Sequence, residues 1–227
     1  MTEGPPVAAG DGRSSARRGP ETREAIHHAA VALFAQRGYH ATSMRAIASA
    51  ARVQPAAIYH WYPSKEAILV RLQDDFMDQL TERVVEAIAR HDRPALRLAA
   101  AVREHVVFHG IHRKAAFVTD SEIRALTEAP RRALIAQRDG YQSIFSDLIR
   151  DGIRDGSLRS SDAMVATYAI LLQCTGVALW FDPSGPLKLE EVAELHVELV
   201  LGSLRASPEL IGEAIESVSR NSAEEPG

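Results

Sequence analysis

An all-α fold is predicted for this chain of 227 residues. Apolar residues recur at spacings of three and four along most of its length, which is the pattern of helices with one buried face. No segment shows the alternation of apolar and polar residues that marks a half-buried strand. Ala, Leu, Glu and Arg, all strong helix formers, dominate the composition. We therefore expect about nine helices, arranged as a three-helix N-terminal domain followed by a larger helical domain.

Composition excludes several classes of protein. The single cysteine, Cys174, excludes an intramolecular disulfide framework and a multi-cysteine zinc site. No run of eighteen apolar residues predicts a membrane span, and the first twenty residues lack the apolar middle of a signal peptide. An apolar fraction of 46% is sufficient for a core. We expect a cytoplasmic protein with no membrane partner.

Charge is distributed unevenly along the chain. The formal net charge is −4, but residues 1–66 carry a net charge of +3, which leaves −7 for the remainder. This asymmetry predicts a small basic domain that meets a polyanion and a larger acidic domain that does not.

The first elements are an arm and a helix. Residues 1–20 contain many Gly, Pro and Ser residues and no apolar periodicity, so we expect a disordered arm. A first helix is predicted from about Thr22, a favourable N-cap, to Arg37, with Gly38 as its C-terminal stop.

Two short helices and one long helix follow. The first short helix comes after Thr42 or Ser43, where apolar residues return at helical spacing. The second runs from Pro55 to Trp61, because proline favours the first helical position. Ser64 is the predicted N-cap of the long helix, which continues to about Arg90.

The rest of the chain predicts long helices that are separated by breakers, the strongest of which is DPSGP. The predicted helices are Pro94–His109, a shorter one around Phe117–Leu126, Pro130–Arg154, Asp162–Phe181 and Leu187–Arg205. We accordingly expect domains at 21–66 and 67–206. A loose tail at 207–227 has a short helix near Glu209–Val218.

The two short helices between Thr42 and Trp61 predict a helix-turn-helix. Helices of about eight residues are unstable in water unless packing holds them, so a closely joined pair persists where its geometry has a function. The second helix of such a pair presents residues to base edges in the major groove of DNA. The predicted core behind the pair is Ile26, Leu33, Phe34, Ile47, Val53, Ile58 and Tyr62. The predicted outward residues are Gln54, Ala56, Ala57, Tyr59 and His60.

The same region resembles a known family. The run ATSMRAIASAARVQPAAIYHWYPSKEAIL, preceded by AAVALFAQRGYHATS, is similar to the DNA-binding domain of TetR-family transcriptional regulators over about 45 residues. The chain departs from the family pattern at Arg52, where a turn glycine is usual, and at Gln54, where a capping serine is frequent.

The resemblance implies contacts with double-stranded DNA. The implied phosphate contacts come from Thr42 or Ser43, Tyr59 and Lys65, with Arg45 near a base or a phosphate. Hydroxyls and cations at helix starts suit phosphate oxygens, and such contacts set the register without reading the sequence.

Base reading is predicted for the second short helix. Gln54 and His60 are candidates for hydrogen bonds to base edges, while Ala56 and Ala57 permit close approach or meet a thymine methyl. The alternatives are that Gln54 only caps the helix, that His60 is solvated and that Tyr59 packs in the ordinary way.

The last two long helices carry apolar faces that are too broad for lone surface helices. Meeting their copies, they would form an isologous four-helix bundle, as TetR-like proteins do. The alternative is burial of these faces within one protomer. A homodimer places two reading helices about 34 Å apart, which implies a near-palindromic operator. The predicted interface consists of Tyr168, Leu172, Thr175, Leu179, Val192, Leu195 and Leu199.

The second domain is similar to one TetR subgroup. The runs SEIRALTEAPRRALIAQRDGYQSIFSDLIRDGIRDGSL and CTGVALWFDPSGPLKLEEVAELHVELVLGSL resemble regulators of fatty-acid and steroid catabolism, some of which respond to acyl-CoA thioesters. The resemblance implies a small apolar or acyl-CoA-like effector in a central cavity. The candidate lining residues are Val102, His105, Val106, His109, Phe117, Tyr141, Phe145 and Cys174.

Three histidines, His105, His109 and His112, share a helix face at i, i+4 and i+7. This spacing suits a metal ion, but Leu98 and Val102 lie on the same stripe. Polar lining of a cavity and ordinary packing are therefore alternatives, and we predict neither a metal nor a cofactor.

The leading functional interpretation is a dimeric, ligand-responsive repressor that a small effector releases from its operator. The sequence contains no nucleophile elbow, phosphate loop or HExxH motif, so an enzyme is not expected. The competing interpretations are an all-helical metal-dependent enzyme and an adaptor that binds protein alone.

Overall fold

The computed structural model describes the backbone of residues 14–223 and the side chains of residues 19–220. Within that part of the chain every regular element is a helix, so the predicted all-α class is confirmed. Spatial contacts divide the chain into two compact units, Met1–Ile68 and Leu69–Gly227, which we name the head and the body. Each unit has its own hydrophobic core.

Three helices and the first turn of a fourth build the head. They are α1 (Ser14–Arg37), α2 (Met44–Ala50), α3 (Pro55–Trp61) and the start of α4 (Lys65–Ala89). The boundaries of α3 are those that the sequence predicts, with proline at the first helical position.

Local signals set the helix starts in the head. Ser43 Oγ accepts a hydrogen bond from the Ala46 amide at 3.1 Å, and Ser64 Oγ accepts one from the Ala67 amide at 3.0 Å, as N-cap residues do. Val53, predicted in the core, is only half-buried. The other six predicted core residues are buried: Ile26, Leu33, Phe34, Ile47, Ile58 and Tyr62.

The predicted N-terminal arm is wrong in its last part. Helix α1 begins at Ser14, eight residues before the predicted N-cap Thr22, so residues 14–20 are helical. Pro20 lies inside the helix. A proline removes one backbone hydrogen bond, and some helices continue through it with a kink. Residues 1–13 of the predicted arm lie outside the described part of the chain.

The body continues α4 and adds further helices around α5. These are α5 (Pro94–Ile111), α6 (Arg113–Ser121), a short 3-10 helix (Ile123–Ala125), α7 (Glu128–Arg154), α8 (Ala163–Thr175), α9 (Val177–Trp180), α10 (Leu189–Ser203) and α11 (Pro208–Ala223). Helix α5 packs against α7, α8, α9, α10 and α11. Small buried residues such as Ala99 and Ala101 allow this central position.

Two predictions for the body need correction. The single helix predicted over Asp162–Phe181 is divided at Gly176 into α8 and α9. The helix predicted near Glu209–Val218 is present as α11, but it packs on α5 and α10, so the prediction of a loose tail is wrong. Leu210, Ala214 and Val218 are buried at the four-residue spacing of an amphipathic helix, and this burial holds α11 in place. Residues 224–227 lie outside the described part.

Candidate nucleic-acid interface and ligand cavities

Helix α3 presents an outward face in the head. Gln54, Ala56 and His60 are exposed, Tyr59 is 57% exposed and Ala57 is half-buried. The Gln54 side chain makes no cap hydrogen bond, so the capping alternative does not apply to it. Residues of these types on an exposed helix face can hydrogen-bond to base edges or approach them closely. Their base contacts stay a prediction.

The residues predicted to contact phosphate at the start of α2 are of two kinds, because some are exposed and one is buried. Ser43 and Arg45 are exposed, and the Ser43 hydroxyl sits at the helix N-terminus, where phosphate oxygens bind. Thr42 is only 2% exposed, and its hydroxyl donates to the Gly38 carbonyl at 2.9 Å. The prediction of a phosphate contact from Thr42 is therefore corrected, because this hydroxyl closes the C-terminal end of α1.

Lys65 holds the head together. Its Nζ donates hydrogen bonds of 2.7 Å to the carbonyls of Tyr39 and Thr42 and lies 4.2 Å from the centroid of the Tyr39 ring. Both carbonyls belong to the turn between α1 and α2, so the lysine fastens the start of α4 to that turn. The sequence prediction gave Lys65 a phosphate contact and missed this structural role.

The turn between α2 and α3 has a strained residue. Arg52 has φ 57°, in the left-handed region that suits glycine. Its amide bonds to the Ser49 carbonyl at 3.1 Å, and the Val53 amide bonds to the Ala48 carbonyl at 3.0 Å. This pair of bonds is a Schellman motif, in which the strained position is normally a glycine.

We expect Arg52→Gly to stabilise the head by about 1 kcal/mol, because it removes the cost of a side chain in left-handed backbone. The melting temperature of the head is measured from Trp61 fluorescence in a Trp180→Phe background. Arg52→Ala is the control, since alanine keeps the Cβ atom and the strain. Equal stabilisation by Ala and Gly would attribute the gain to the arginine side chain instead.

Two adjoining cavities lie in the body. The inner chamber has a volume of about 180 Å³ and its apolar wall is Phe76, Met77 and Leu80 of α4. The outer cavity has a volume of about 570 Å³ and lies along the C-terminal half of α8 and α9. Both are lined by Asp120, Gln142, Leu171 and Thr175.

A chain of hydrogen bonds borders the inner chamber. Tyr141 Oη lies 2.7 Å from His105 Nδ1, and His105 Nε2 lies 3.1 Å from Thr175 Oγ1. Burial raises the pKa of Tyr141 well above its ordinary value, so the hydroxyl stays protonated and can donate to Nδ1. Nε2 then carries the imidazole proton and donates to Thr175, at the end of α8.

The ring of His109 stacks on His105, with 4.1 Å between ring centroids. Its Nδ1 lies 2.9 Å from the His105 carbonyl, which can only accept, so Nδ1 carries the proton. Burial lowers the pKa of His109 to about 4, although that hydrogen bond opposes the shift. His109 is therefore neutral at pH 7.

The metal alternative for the histidine face is not supported. His112 packs on Phe108, with 4.4 Å between ring centroids, and both nitrogens of His105 are used as described above. Among the residues whose side chains are described, no three His, Cys, Asp or Glu residues form a group that could hold a metal ion. His105 and His109 instead line the inner chamber.

We expect the unfolding free energy of the body to fall between pH 6.5 and pH 4. The folded-state pKa of His109 lies below its unfolded value, so the unfolded chain binds more protons as the pH decreases. His109 alone accounts for about 3 kcal/mol, lost as the pH falls through its folded pKa. Urea unfolding at several pH values measures this loss. A His109→Gln variant with the same pH profile as the parent would contradict it.

Some of the predicted ligand residues line a cavity, and the others lie in the hydrophobic core of the body. His105, His109 and Tyr141 line the inner chamber, and Phe117 lines the outer cavity. The prediction is wrong for the other four residues, because they are fully buried and line neither cavity: Val102, Val106, Phe145 and Cys174. Sequence reasoning missed Thr119, Asp120, Arg138, Gln142 and the α4 wall. The apolar stripe of α4 was a usable signal, but it could not separate cavity wall from core.

An exposed apolar surface runs along α8, α9 and α10. Its predicted members Tyr168, Leu172, Leu179, Leu195 and Leu199 are between 46% and 77% exposed. The surface also includes Val165 and Trp180, which the prediction omitted.

Two predicted interface residues are corrected. Val192 is 1% exposed and buried in its own protomer, while Thr175 faces His105. The segment Ala163–Trp180 is, by length and composition alone, apolar enough to cross a membrane; 22% of it is buried, and it is divided at Gly176 into α8 and α9. An exposed apolar surface of this kind is also typical of a subunit interface.

Comparisons with known proteins match both units. The family model described as bacterial regulatory proteins, tetR family, matches residues 26–72. The model described as tetracyclin repressor-like, C-terminal domain, matches residues 91–204, about half of the chain. The first match lies largely in the head and the second lies entirely in the body, in the order in which the two units follow one another along the chain.

Relatives and solved structures agree with these matches. The transcriptional repressor KstR2 of Mycolicibacterium smegmatis is 29% identical over 82% of this chain and 91% of the relative. The fatty acid metabolism regulator protein of Bacillus subtilis is 30% identical over 59% of this chain and 69% of the relative. The structure of AibR in complex with isovaleryl coenzyme A and operator DNA superposes with a TM-score of 0.72. It has 27% identity and covers 78% of this chain and 97% of AibR.

The family assignment, rather than any missing feature, removes the enzyme and adaptor alternatives. A helix-turn-helix head and a helical body of this family are present in one chain, with similar relatives that are named as transcriptional regulators. The chain belongs to the tetR family of bacterial regulatory proteins and is a DNA-binding transcriptional regulator.

Proposed function

We propose that this chain is a homodimeric repressor that an effector bound in the body releases from a near-palindromic operator. The adjoining cavities of about 180 and 570 Å³ are the observation that carries the proposal. Small-molecule sites are typically clefts of roughly 300–1,000 Å³ lined mainly by apolar side chains. A regulator of bacterial DNA acts in the cytoplasm, which is where we place this protein.

The effector in this proposal is apolar in part or acyl-CoA-like. The outer cavity supports an apolar portion because Phe117 and Leu171 contribute to its wall; Leu172, which also lines it, belongs as well to the surface that we assign to the dimer. The similarity to AibR, whose structure contains isovaleryl coenzyme A, supports a thioester as one member of this class.

The homodimer follows from the exposed surface of α8, α9 and α10. Leucines that are 60% and 77% exposed, Leu199 and Leu172, gain stability when a second copy covers them. An isologous pair presents two copies of α3 to one duplex, so each half of the operator is read by one copy.

Helix α4 is the proposed route of coupling. Its first residue, Lys65, is bonded to the head, and its residues Phe76, Met77 and Leu80 line the inner chamber. An effector that prefers a displaced α4 favours the state that does not bind DNA. A coupling free energy of about 2.7 kcal/mol lowers operator affinity roughly a hundredfold.

The test begins with selection of bound duplexes from a random pool, which supplies the operator. Fluorescence anisotropy then measures operator affinity while saturated and unsaturated acyl-CoA thioesters are titrated. A scrambled duplex is the control, and its weaker binding falls steeply with salt. Operator affinity that stays constant with a ligand demonstrably in the cavity would contradict the proposed switch.

A further inference from the structure

The two cavities differ in the chemistry of their walls. Opposite its apolar α4 wall, the inner chamber is bordered mainly by polar side chains, among them His105, His109, Arg138 and Tyr141. The outer cavity is bordered mainly by apolar side chains. An amphipathic ligand that fills both would therefore place a polar group in the inner chamber, which is the reverse of an apolar tail inserted innermost.

His109 supplies an unused acceptor to the inner chamber. Its Nδ1 donates to the His105 carbonyl, so the neutral ring has its lone pair on Nε2. The ring is 3% exposed, and the described residues offer Nε2 no hydrogen-bond partner. Phe76 meets the ring edge to face, with 5.4 Å between centroids, and together with stacked His105 it fixes the ring orientation. An acceptor on a ring that lines the chamber can take a hydrogen bond from a donor group of a ligand.

Arg138 supplies an unused donor. One Nη atom donates to the Thr119 carbonyl at 2.9 Å and to Asp120 Oδ1 at 3.2 Å. Its Nε is buried without a hydrogen-bond partner among the described residues. Arg138 and His109 both line the inner chamber. A donor and an acceptor thus border the same small volume.

We propose that the inner chamber binds a hydroxyl group carried by a ring-sized part of the effector. The hydroxyl donates to His109 Nε2 and accepts from the Arg138 guanidinium, which borders the same chamber. The proposal rests on the proposed function only in placing the effector in these cavities. The ring-sized part is inferred from the volume of the inner chamber, since an engineered cavity of about 150 Å³ in another protein accommodates benzene. The apolar remainder of the effector then occupies the outer cavity.

The experiment measures direct binding of ring-sized probes to the full-length dimer without DNA. The probes are phenol, toluene and benzoate, which share a ring and differ in the polar group. We expect phenol to bind about tenfold more tightly than toluene in titrations followed by ligand-observed NMR, because two hydrogen bonds form with groups that are otherwise unsatisfied. Benzoate accepts from Arg138 but cannot donate to His109, so it binds more weakly than phenol.

Substitutions of His109 and Arg138 test whether these two residues produce the preference for phenol. His109→Leu is expected to remove the preference for phenol over toluene, whereas His109→Gln retains it because the amide oxygen accepts a hydrogen bond. Arg138→Met keeps a long side chain and is expected to lower phenol affinity severalfold, which gives a second readout if His109→Leu does not fold. Val85→Ala, a change at an exposed α4 residue that lines neither cavity, is the control and leaves the preference intact.

Three outcomes would overturn the inference: toluene binding as tightly as phenol, benzoate binding more tightly than phenol, or a phenol preference that survives both His109→Leu and Arg138→Met. The readout contains no operator, so it is independent of repression. Phenol bound with the expected preference in a protein whose operator affinity no ligand changes would remove the proposed switch and leave the hydroxyl site in place.

Discussion

Leu199→Glu is expected to convert the protein into monomers and to lower operator affinity by more than a hundredfold. Leu199 is 60% exposed on α10 and lines neither cavity, so its effect is separate from effector binding. An isologous interface contains each residue twice, so one substitution buries two like charges without partners. Each uncompensated buried charge costs several kcal/mol.

The measurement combines sedimentation equilibrium with operator anisotropy at one protein concentration. Val85→Glu is the matched control, since Val85 is also exposed, at 45%, but lies on α4 outside the predicted surface. The protomer fold, followed by circular dichroism, is expected to survive both changes. A Leu199→Glu protein that stays dimeric and binds the operator normally would place the interface on another surface.

Much of the fold could be predicted because its signals are local. The boundaries of α3 and the caps of α2 and α4 depend on a proline at the first helical position and on serines three residues before a bonded amide. Each of these features needs only a few neighbouring residues. The strain at Arg52 was indicated instead by the family resemblance, since a glycine is usual at that turn position.

Features that depend on tertiary packing could not be predicted. Val192 and Leu195 are three residues apart on one apolar helix, yet Val192 is buried in its own protomer and Leu195 is 46% exposed. Only the position of the neighbouring helices separates core from interface. The same holds for Phe145, which packs behind His105 and Tyr141 without reaching the cavity.

The head presents two cations whose loss is expected to have different consequences. Arg45 is exposed beside the N-terminus of α2, whereas Lys65 is bonded to two backbone carbonyls. We expect Lys65→Ala to lower the unfolding free energy of the head by about 2 kcal/mol, because two charge-assisted hydrogen bonds are lost. Operator binding then falls because the helix-turn-helix is no longer held in place.

Arg45→Ala is expected to leave the melting temperature of the head unchanged and to weaken binding to all duplexes similarly. If Arg45 contacts a phosphate, the slope of the logarithm of affinity against the logarithm of salt concentration decreases in magnitude by about one. Lys65→Ala is instead expected to lower the melting temperature of the head, and the loss of operator binding is a consequence. Measuring melting temperature and salt dependence for both variants therefore distinguishes the roles of the two residues.

The decisive comparison is made well below the melting temperature, where the Lys65→Ala head is still folded. If Lys65 acts only by holding the turn between α1 and α2, its variant regains operator affinity on cooling while its salt slope stays that of the parent. A reduced salt slope with unchanged stability would show that the lysine contacts phosphate after all. Selective loss of binding to one sequence in the Arg45 variant would instead assign that residue to a base edge, because phosphate contacts do not distinguish sequences.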